Sequence, residues 1–305
     1  MVIRHFLELS DLTASEIRET INHALALKRD RAAGKLQPSP LTGKTLALVF
    51  EKSSTRTRVS FEVGMGELGG RALFLSPSEI QLGRGESIRD TVKVLSRMCH
   101  GIVLRTHDHS RLAEFARNAT VPVINGLTDL LHPVQILADL MTIQEQFGKF
   151  EGLKIAYIGD GNNVANSWIE ACALFDFQLS IAHPPGYGPD PGFLEFAGAR
   201  CGGRLTIMQD PRAAAKDAHI LYTDTWTSMG QEEEAGIRRH AFQGYQINRK
   251  LMEVCAPGVR IMHCLPAHWG EELALELQDA PELVVYDEAE NRLHAQKALL
   301  LLLMS

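Results

Sequence analysis

The chain has no two cysteines spaced to suggest a metal clip or a redox dithiol. Its five cysteines stand at 99, 172, 201, 255 and 264. An odd, scattered set fits reduced thiols rather than a disulfide framework. A long apolar run is also missing. The longest, residues 298–304, is far short of the ~20 residues needed to cross a bilayer. No apolar stretch follows Met1-Val2-Ile3-Arg4-His5, so no secretory signal is expected. Basic residues are in deficit, 31 Lys and Arg against 37 Asp and Glu, for a net charge of -6. That balance argues against a nucleic-acid partner, whose phosphates need a basic surface. What is present is a 305-residue chain, 45% hydrophobic. It is long enough for two domains of about 150 residues with sizeable cores. A soluble, cytoplasmic protein is the expectation.

The spacing of apolar residues predicts alternating strands and helices. Thr13-Ala14-Ser15-Glu16 has the form of a capping box, with Ile17, Ile21, Ala24 and Leu25 on one helical face and Gly34 at its end. Short apolar runs follow at 45–50, 72–75, 101–104 and 121–124. Residues 133–147 carry a helical pattern, opened by Pro133 and closed by Gly148. A second series of strands is expected at 153–158, 179–182, 205–208, 220–222, 259–262 and 283–286, with a last helix over 292–304. Alternation of this kind implies α/β structure: two domains, each a parallel β-sheet flanked by helices. The break in pattern at 148–152 marks the boundary. Ligands of open parallel sheets bind beyond the carboxyl ends of the strands, so a site in the interdomain cleft is expected.

The densest chemistry lies at 53–58, Ser-Ser-Thr-Arg-Thr-Arg, between the first strand and a helix-like stretch at 59–68. A helix N-terminus offers unpaired N–H groups to an anion, and guanidinium forks match phosphate oxygens. The run predicts a site for a small, doubly charged phosphate compound. The alternative is a polar loop with a Ser cap and two solvated arginines. Other strands also end in polar residues: Arg105, His132 with Gln135, Asp224 with Ser228-Met229-Gly230, and His263-Cys264. His132 and Gln135 at a helix start could polarise a carbonyl oxygen. Gly159-Asp160-Gly161 suggests a dinucleotide turn, but Val164 stands where a third small residue belongs. Asn162 and Asn163 offer amides suited to a zwitterion rather than a pyrophosphate, and a plain turn held by glycines and Asn side chains fits that segment equally. No hydrolase signature surrounds Cys264, so a polar contact to an amine suits it better than a covalent role. Glu232-Glu233-Glu234 reads as a solvated face.

Four segments, taken in order, resemble the carbamoyltransferase family. They are Phe50-Glu51-Lys52-Ser53-Ser54-Thr55-Arg56-Thr57-Arg58, His132-Pro133-Val134-Gln135, Asp224-Thr225-Trp226-Thr227-Ser228-Met229-Gly230 and His263-Cys264-Leu265-Pro266. The resemblance covers essentially the whole chain. It implies transfer of a carbamoyl group from carbamoyl phosphate to L-ornithine, giving L-citrulline and phosphate. It implies that Ser54, Thr55, Arg56 and Thr57 hold the phosphate. Arg105, His132, Gln135 and Arg292 would hold the carbamoyl end, with Cys264 and Leu265 lining the reacting centre. Asn163, Asp224, Ser228 and Met229 would hold ornithine. Arg105, His132, Asp224 and Cys264 are the catalytic candidates. Gln81 resembles a residue that the family sends into a neighbouring subunit's site, and homotrimers or multiples of trimers are implied. Residues 1–148 would be the carbamoyl phosphate-binding domain and 149–291 the ornithine-binding domain, with helix 292–304 packing back on the first. No cofactor is implied, and the sequence offers no convincing metal-ligand cluster.

Overall fold

The computed structural model describes residues 3–35, 39–76, 85–228, 230 and 232–305. Gln81 and Met229 lie outside the described residues. The chain divides into two compact units, Met1–Met141 with Glu290–Ser305, and Thr142–Ala289.

The first unit holds a four-stranded parallel sheet. Its strands are β1 (Thr45–Phe50), β2 (Arg71–Leu75), β3 (Gly101–Arg105) and β4 (Val123–Leu127), in the order β2-β1-β3-β4. Every residue of β1 is buried, which explains its unbroken apolar sequence: a central parallel strand is covered on both faces. The helices are α1 (Ala14–Ala32), α2 (Thr55–Glu67), α3 (Ile88–Met98), α4 (His109–Asn118) and α5 (Pro133–Phe147). Both halves of the Thr13/Glu16 capping box are present at α1. Helix α2 starts at Thr55, earlier than the pattern at 59 suggested, because Ser54 serves as its N-cap. The first turn of α2 therefore contains Arg56 and Arg58.

The second unit holds a five-stranded parallel sheet in the order β7-β6-β5-β8-β9. Its strands are β5 (Lys154–Ile158), β6 (Gln178–Ala182), β7 (Leu205–Met208), β8 (Ile220–Thr223) and β9 (Arg260–His263). Helices α6 (Asn163–Leu174), α7 (Pro191–Arg200), α8 (Pro211–Ala215), α9 (Ala235–Ala241) and α10 (Arg249–Met252) accompany them, while α11 (Val285–Met304) starts in this unit and belongs to the first from Glu290 onward. One face of the sheet, with Ala156, Ile158, Leu221 and Ile261, packs on Phe242, Ile247 and Leu273.

One predicted strand is not there. Residues 283–286 contribute only an isolated bridge, Leu283 to Ile261. The backbone bonds once on each side of Ile261, through the Glu282 carbonyl and the Val284 N–H. It then enters α11 at Val285, seven residues ahead of the expected start. Asp287 and Glu288 in its first turn favour the positive end of a helix. No helix among the described residues is long and apolar enough to cross a membrane.

Candidate active site

Of the residues expected to act on carbamoyl phosphate, Ser54, Thr55, Arg56, Thr57, Arg105, His132, Gln135 and Arg292 lie in the first unit, whereas Cys264 and Leu265 lie in the second. The Ser54 side chain caps α2 by accepting from the Thr57 N–H at 3.3 Å. Thr57 is buried, and its Oγ1 accepts from Arg292 Nη2 at 3.1 Å. Arg292, carried back by α11 and also buried, gives Nη1 to Gln135 Oε1 at 2.5 Å. Thus Thr57, Gln135 and Arg292 form one chain of contacts from three distant parts of the sequence. It reaches a residue the sequence did not flag: Gln135 Nε2 donates to Asp139 Oδ1 at 2.8 Å, one turn further along α5. Fully buried Asp139 orients the carboxamide so that its oxygen faces the guanidinium.

Arg105 ends β3 and is nearly buried. A register shift between Leu104 and Arg105 against β4 sets its position. Gly126 makes that irregularity possible: a Cβ there would meet Val103 Cγ1 at 3.0 Å and the Leu104 carbonyl at 3.2 Å. The loop before α2 is braced on two sides. Lys52 Nζ pairs with Asp129 Oδ1 at 2.7 Å, while Glu51 accepts from Thr106 Oγ1 and Arg111 Nη2. The two arginines of the run part company. Arg58 is exposed, bonds Glu62 at 2.9 Å and lies 3.8 Å from the Phe74 ring centroid. Half-buried Arg56 acts electrostatically on His132, as do Arg292 and Arg105.

Burial, and then the charges of Arg292, Arg105 and Arg56, hold the His132 imidazole well below its ordinary pKa of 6.5. His132 is therefore neutral at neutral pH: a hydrogen-bonding group among cations rather than a fourth charge. This sets a pH dependence. Below pH 6.5 the unfolded chain takes up a proton here that the folded chain refuses. The stability contributed is present above the unfolded value and declines as pH falls, by at most about 1.4 kcal/mol per pH unit. His132→Asn should flatten the denaturant midpoint between pH 6.5 and 5 by that component. Identical slopes in parent and variant would contradict the depressed value.

The residues expected to act on ornithine gather in the second unit. Asp224 follows β8 and is nearly buried. Its Oδ1 accepts from the Thr225 N–H at 2.8 Å and from Cys264 Sγ at 3.0 Å. Its Oδ2 accepts from Asn162 Nδ2 at 2.6 Å. Asn162 also caps α6, and its Oδ1 accepts from the Tyr157 hydroxyl at 3.0 Å. Asn163, at the first position of α6, is half-buried. Ser228 is half-buried at the end of the same β8 loop.

Cys264 and Leu265 are held by a buried pair, His263 and Glu272, of which sequence reasoning missed Glu272. Leu265 adopts φ 55, a left-handed conformation costly for a side chain of its size. Its N–H donates to His263 Nδ1 at 2.8 Å, and His263 Nε2 lies 3.2 Å from Glu272 Oε1. Since Nδ1 accepts, the imidazole proton sits on Nε2 and is donated to Glu272. Asp224, His263 and Cys264 place three ligand atoms within 4.8 Å of one another. Both His263 nitrogens are already engaged, so a metal there would have to displace those bonds. The glycine turn after β5 has a packing reason rather than a pyrophosphate one. A Cβ on Gly161 would lie 2.1 Å from the Gly188 carbonyl carbon.

Comparison with known proteins gives a consistent result. The aspartate/ornithine carbamoyltransferase carbamoyl-P binding domain matches residues 4–145, and the Asp/Orn binding domain of the same family matches residues 151–303. The chain is 50% identical to an ornithine carbamoyltransferase of Methanoculleus marisnigri, over 99% of this chain and 97% of that one. It is 52% identical to the anabolic ornithine carbamoyltransferase of Pseudomonas aeruginosa, over 100% and 98% of the two chains. The solved structure of the ornithine carbamoyltransferase from Pyrococcus furiosus superposes with a TM-score of 0.94 at 49% identity, covering 99% of this chain and 97% of that one.

Proposed function

We propose that this chain, which belongs to the aspartate/ornithine carbamoyltransferase family, transfers the carbamoyl group of carbamoyl phosphate to the side-chain amine of L-ornithine. The products are L-citrulline and phosphate. The observation that carries the reading is the set of three guanidiniums, from Arg292, Arg105 and Arg56, acting on one buried neutral imidazole. A dianionic leaving group and a carbonyl oxygen that gains charge need that combination. A synthetic role is proposed as well, supported by relatives that carry the word anabolic in their names.

In this reading the start of α2, with Ser54, Thr55, Arg56 and Thr57, binds the phosphate. Arg105 and His132 donate to the carbonyl oxygen. Gln135 and Arg292 align the carbamoyl end, with Leu265 and Cys264 beside the reacting carbon. Asn163, Asp224, Ser228 and Met229 hold ornithine. The amine attacks the carbonyl carbon, the C–O bond to phosphate breaks, and the amine loses a proton. An alkyl ammonium has a pKa of ~10.4, so most of it arrives protonated. Desolvation beside the Asp224–Cys264 pair favours the neutral amine, while the carboxylate alone would oppose that. Asp224 and the departing phosphate are the groups able to accept the proton. No metal has a part in this scheme, because the guanidiniums supply the positive charge.

The test is an acceptor screen with carbamoyl phosphate. L-Ornithine should give stoichiometric citrulline and phosphate. Faster turnover of putrescine, acetylornithine or aspartate would overturn the choice of acceptor. A cytoplasmic homotrimer, or a multiple of one, completes the proposal, with Gln81 reaching a neighbouring copy. The exposed Val59, Val63, Leu73 and Met98 support self-association, and sedimentation equilibrium reads the mass directly.

A further inference from the structure

Arg238 is a buried cation that takes no part in the scheme above. It sits on α9, a helix too short to hold itself in place by its own hydrogen bonds. Its Nη1 donates to Asp160 Oδ2 at 2.9 Å and to the Trp226 carbonyl at 3.0 Å. Its Nε donates to Glu234 Oε2 at 3.1 Å, and its guanidinium carbon lies 5.0 Å from the Tyr187 ring centroid. Both Arg238 and Asp160 are nearly buried.

Asp160 lies in the turn after β5, two residues before Asn162, which grips Asp224. Trp226 is two residues beyond Asp224 and two before Ser228. Tyr187, from the segment after β6, takes the Gly161 N–H on its carbonyl at 2.8 Å. The chain that leaves Trp226 through Ser228 and Gly230 returns to the same guanidinium on α9. One planar fork therefore joins the segments that carry Asn163, Asp224 and Ser228.

We propose that Arg238 is a positioning residue for the acceptor amino acid, fixing the turn after β5, the end of β8 and α9 in one arrangement. The inference rests on the reading that this half-site takes ornithine. Burial pushes the Asp160 carboxyl up to about 6, against the pull of Arg238. The anchor on the turn thus depends on the guanidinium staying beside it.

The test uses the full chain with Arg238→Met, Arg238→Lys and Asp160→Asn. Arg238→Met should raise the ornithine KM about 10- to 100-fold, the effect of a small misplacement of binding groups. The carbamoyl phosphate KM should stay at the parental value. Arg238→Lys should recover part of the loss, because an ammonium keeps the charge but not the fork. A residue needed only for folding would instead lower kcat in step with the folded fraction and leave both KM values unchanged; that outcome overturns the proposal. Should Arg238→Met fail to fold, unchanged ornithine KM in both Arg238→Lys and Asp160→Asn overturns it equally. The parent is assayed first. Absence of citrulline there overturns the ornithine reading and this inference with it, whereas parental turnover with indifferent variants overturns only the positioning role.

Discussion

Arg56→Ala should lower kcat/KM for carbamoyl phosphate by about three orders of magnitude, while Arg58→Ala stays within about threefold of the parent. A guanidinium that meets a dianion through two charge-assisted hydrogen bonds loses ~1.5–3 kcal/mol per bond on truncation. Two such bonds correspond to roughly 10²- to 10⁴-fold. The loss should fall on kcat as well as KM, because charge on the phosphate grows as the C–O bond breaks. Arg58 is already used elsewhere, on Glu62 and on the Phe74 ring. An exposed i,i+4 pair of that kind contributes only ~0.3–0.5 kcal/mol. Steady-state assays alongside thermal melts decide the matter. A folded Arg56→Ala variant with near-parental activity removes the phosphate role. Equal losses in the two variants would show that the run acts as a diffuse positive patch.

The contrast between those arginines shows what the sequence could and could not reveal. As a string, Ser-Thr-Arg-Thr-Arg presents two equivalent forks. Once the first turn of α2 includes both, residues two apart lie about 200° around the helix and face opposite ways. The two sheets were legible because a buried parallel strand writes itself as an unbroken apolar run, as in β1, and α5 because its periodicity spans four turns. The run at 283–286 misled for the same reason β1 did not. Four apolar residues fit a strand or the entry to a helix, and only the acidic turn that follows separates them. Asp139 and Glu272 were missed because their work is to orient a neighbour. Asp139 holds Gln135 one turn along α5, and Glu272 holds His263 from the loop beyond β9; Asn162, named for its own turn, was not foreseen as a partner of Asp224. No local pattern marks such pairs. The trio Asp224, His263 and Cys264 was likewise invisible as a cluster, since adjacent strands β8 and β9 create it.

Asp224→Asn should cost about 10²- to 10³-fold in kcat/KM for ornithine while leaving carbamoyl phosphate affinity near the parental value. Three donors converge on this carboxylate: Asn162 Nδ2 at 2.6 Å, the Thr225 N–H at 2.8 Å and Cys264 Sγ at 3.0 Å. An amide in the same place turns an NH₂ group toward one of those donors. Either rotamer loses a contact, and the loop that carries Ser228 shifts with it. The charge that would face the acceptor's ammonium is lost as well, and a charged hydrogen bond is worth ~1.5–3 kcal/mol. Both penalties fall on the acceptor. The first unit, with its own guanidiniums and His132, is untouched by the substitution. Cys264→Ala should be milder, about tenfold, because it removes one donor and leaves the carboxylate in place; its loss too should fall on ornithine. Calorimetric titration of carbamoyl phosphate, set beside ornithine saturation curves, separates the two substrates. If Asp224→Asn weakened carbamoyl phosphate as much as ornithine, the division of labour between the half-sites would be wrong. If Cys264→Ala proved worse than Asp224→Asn, the thiol rather than the carboxylate would be the principal group meeting the amine.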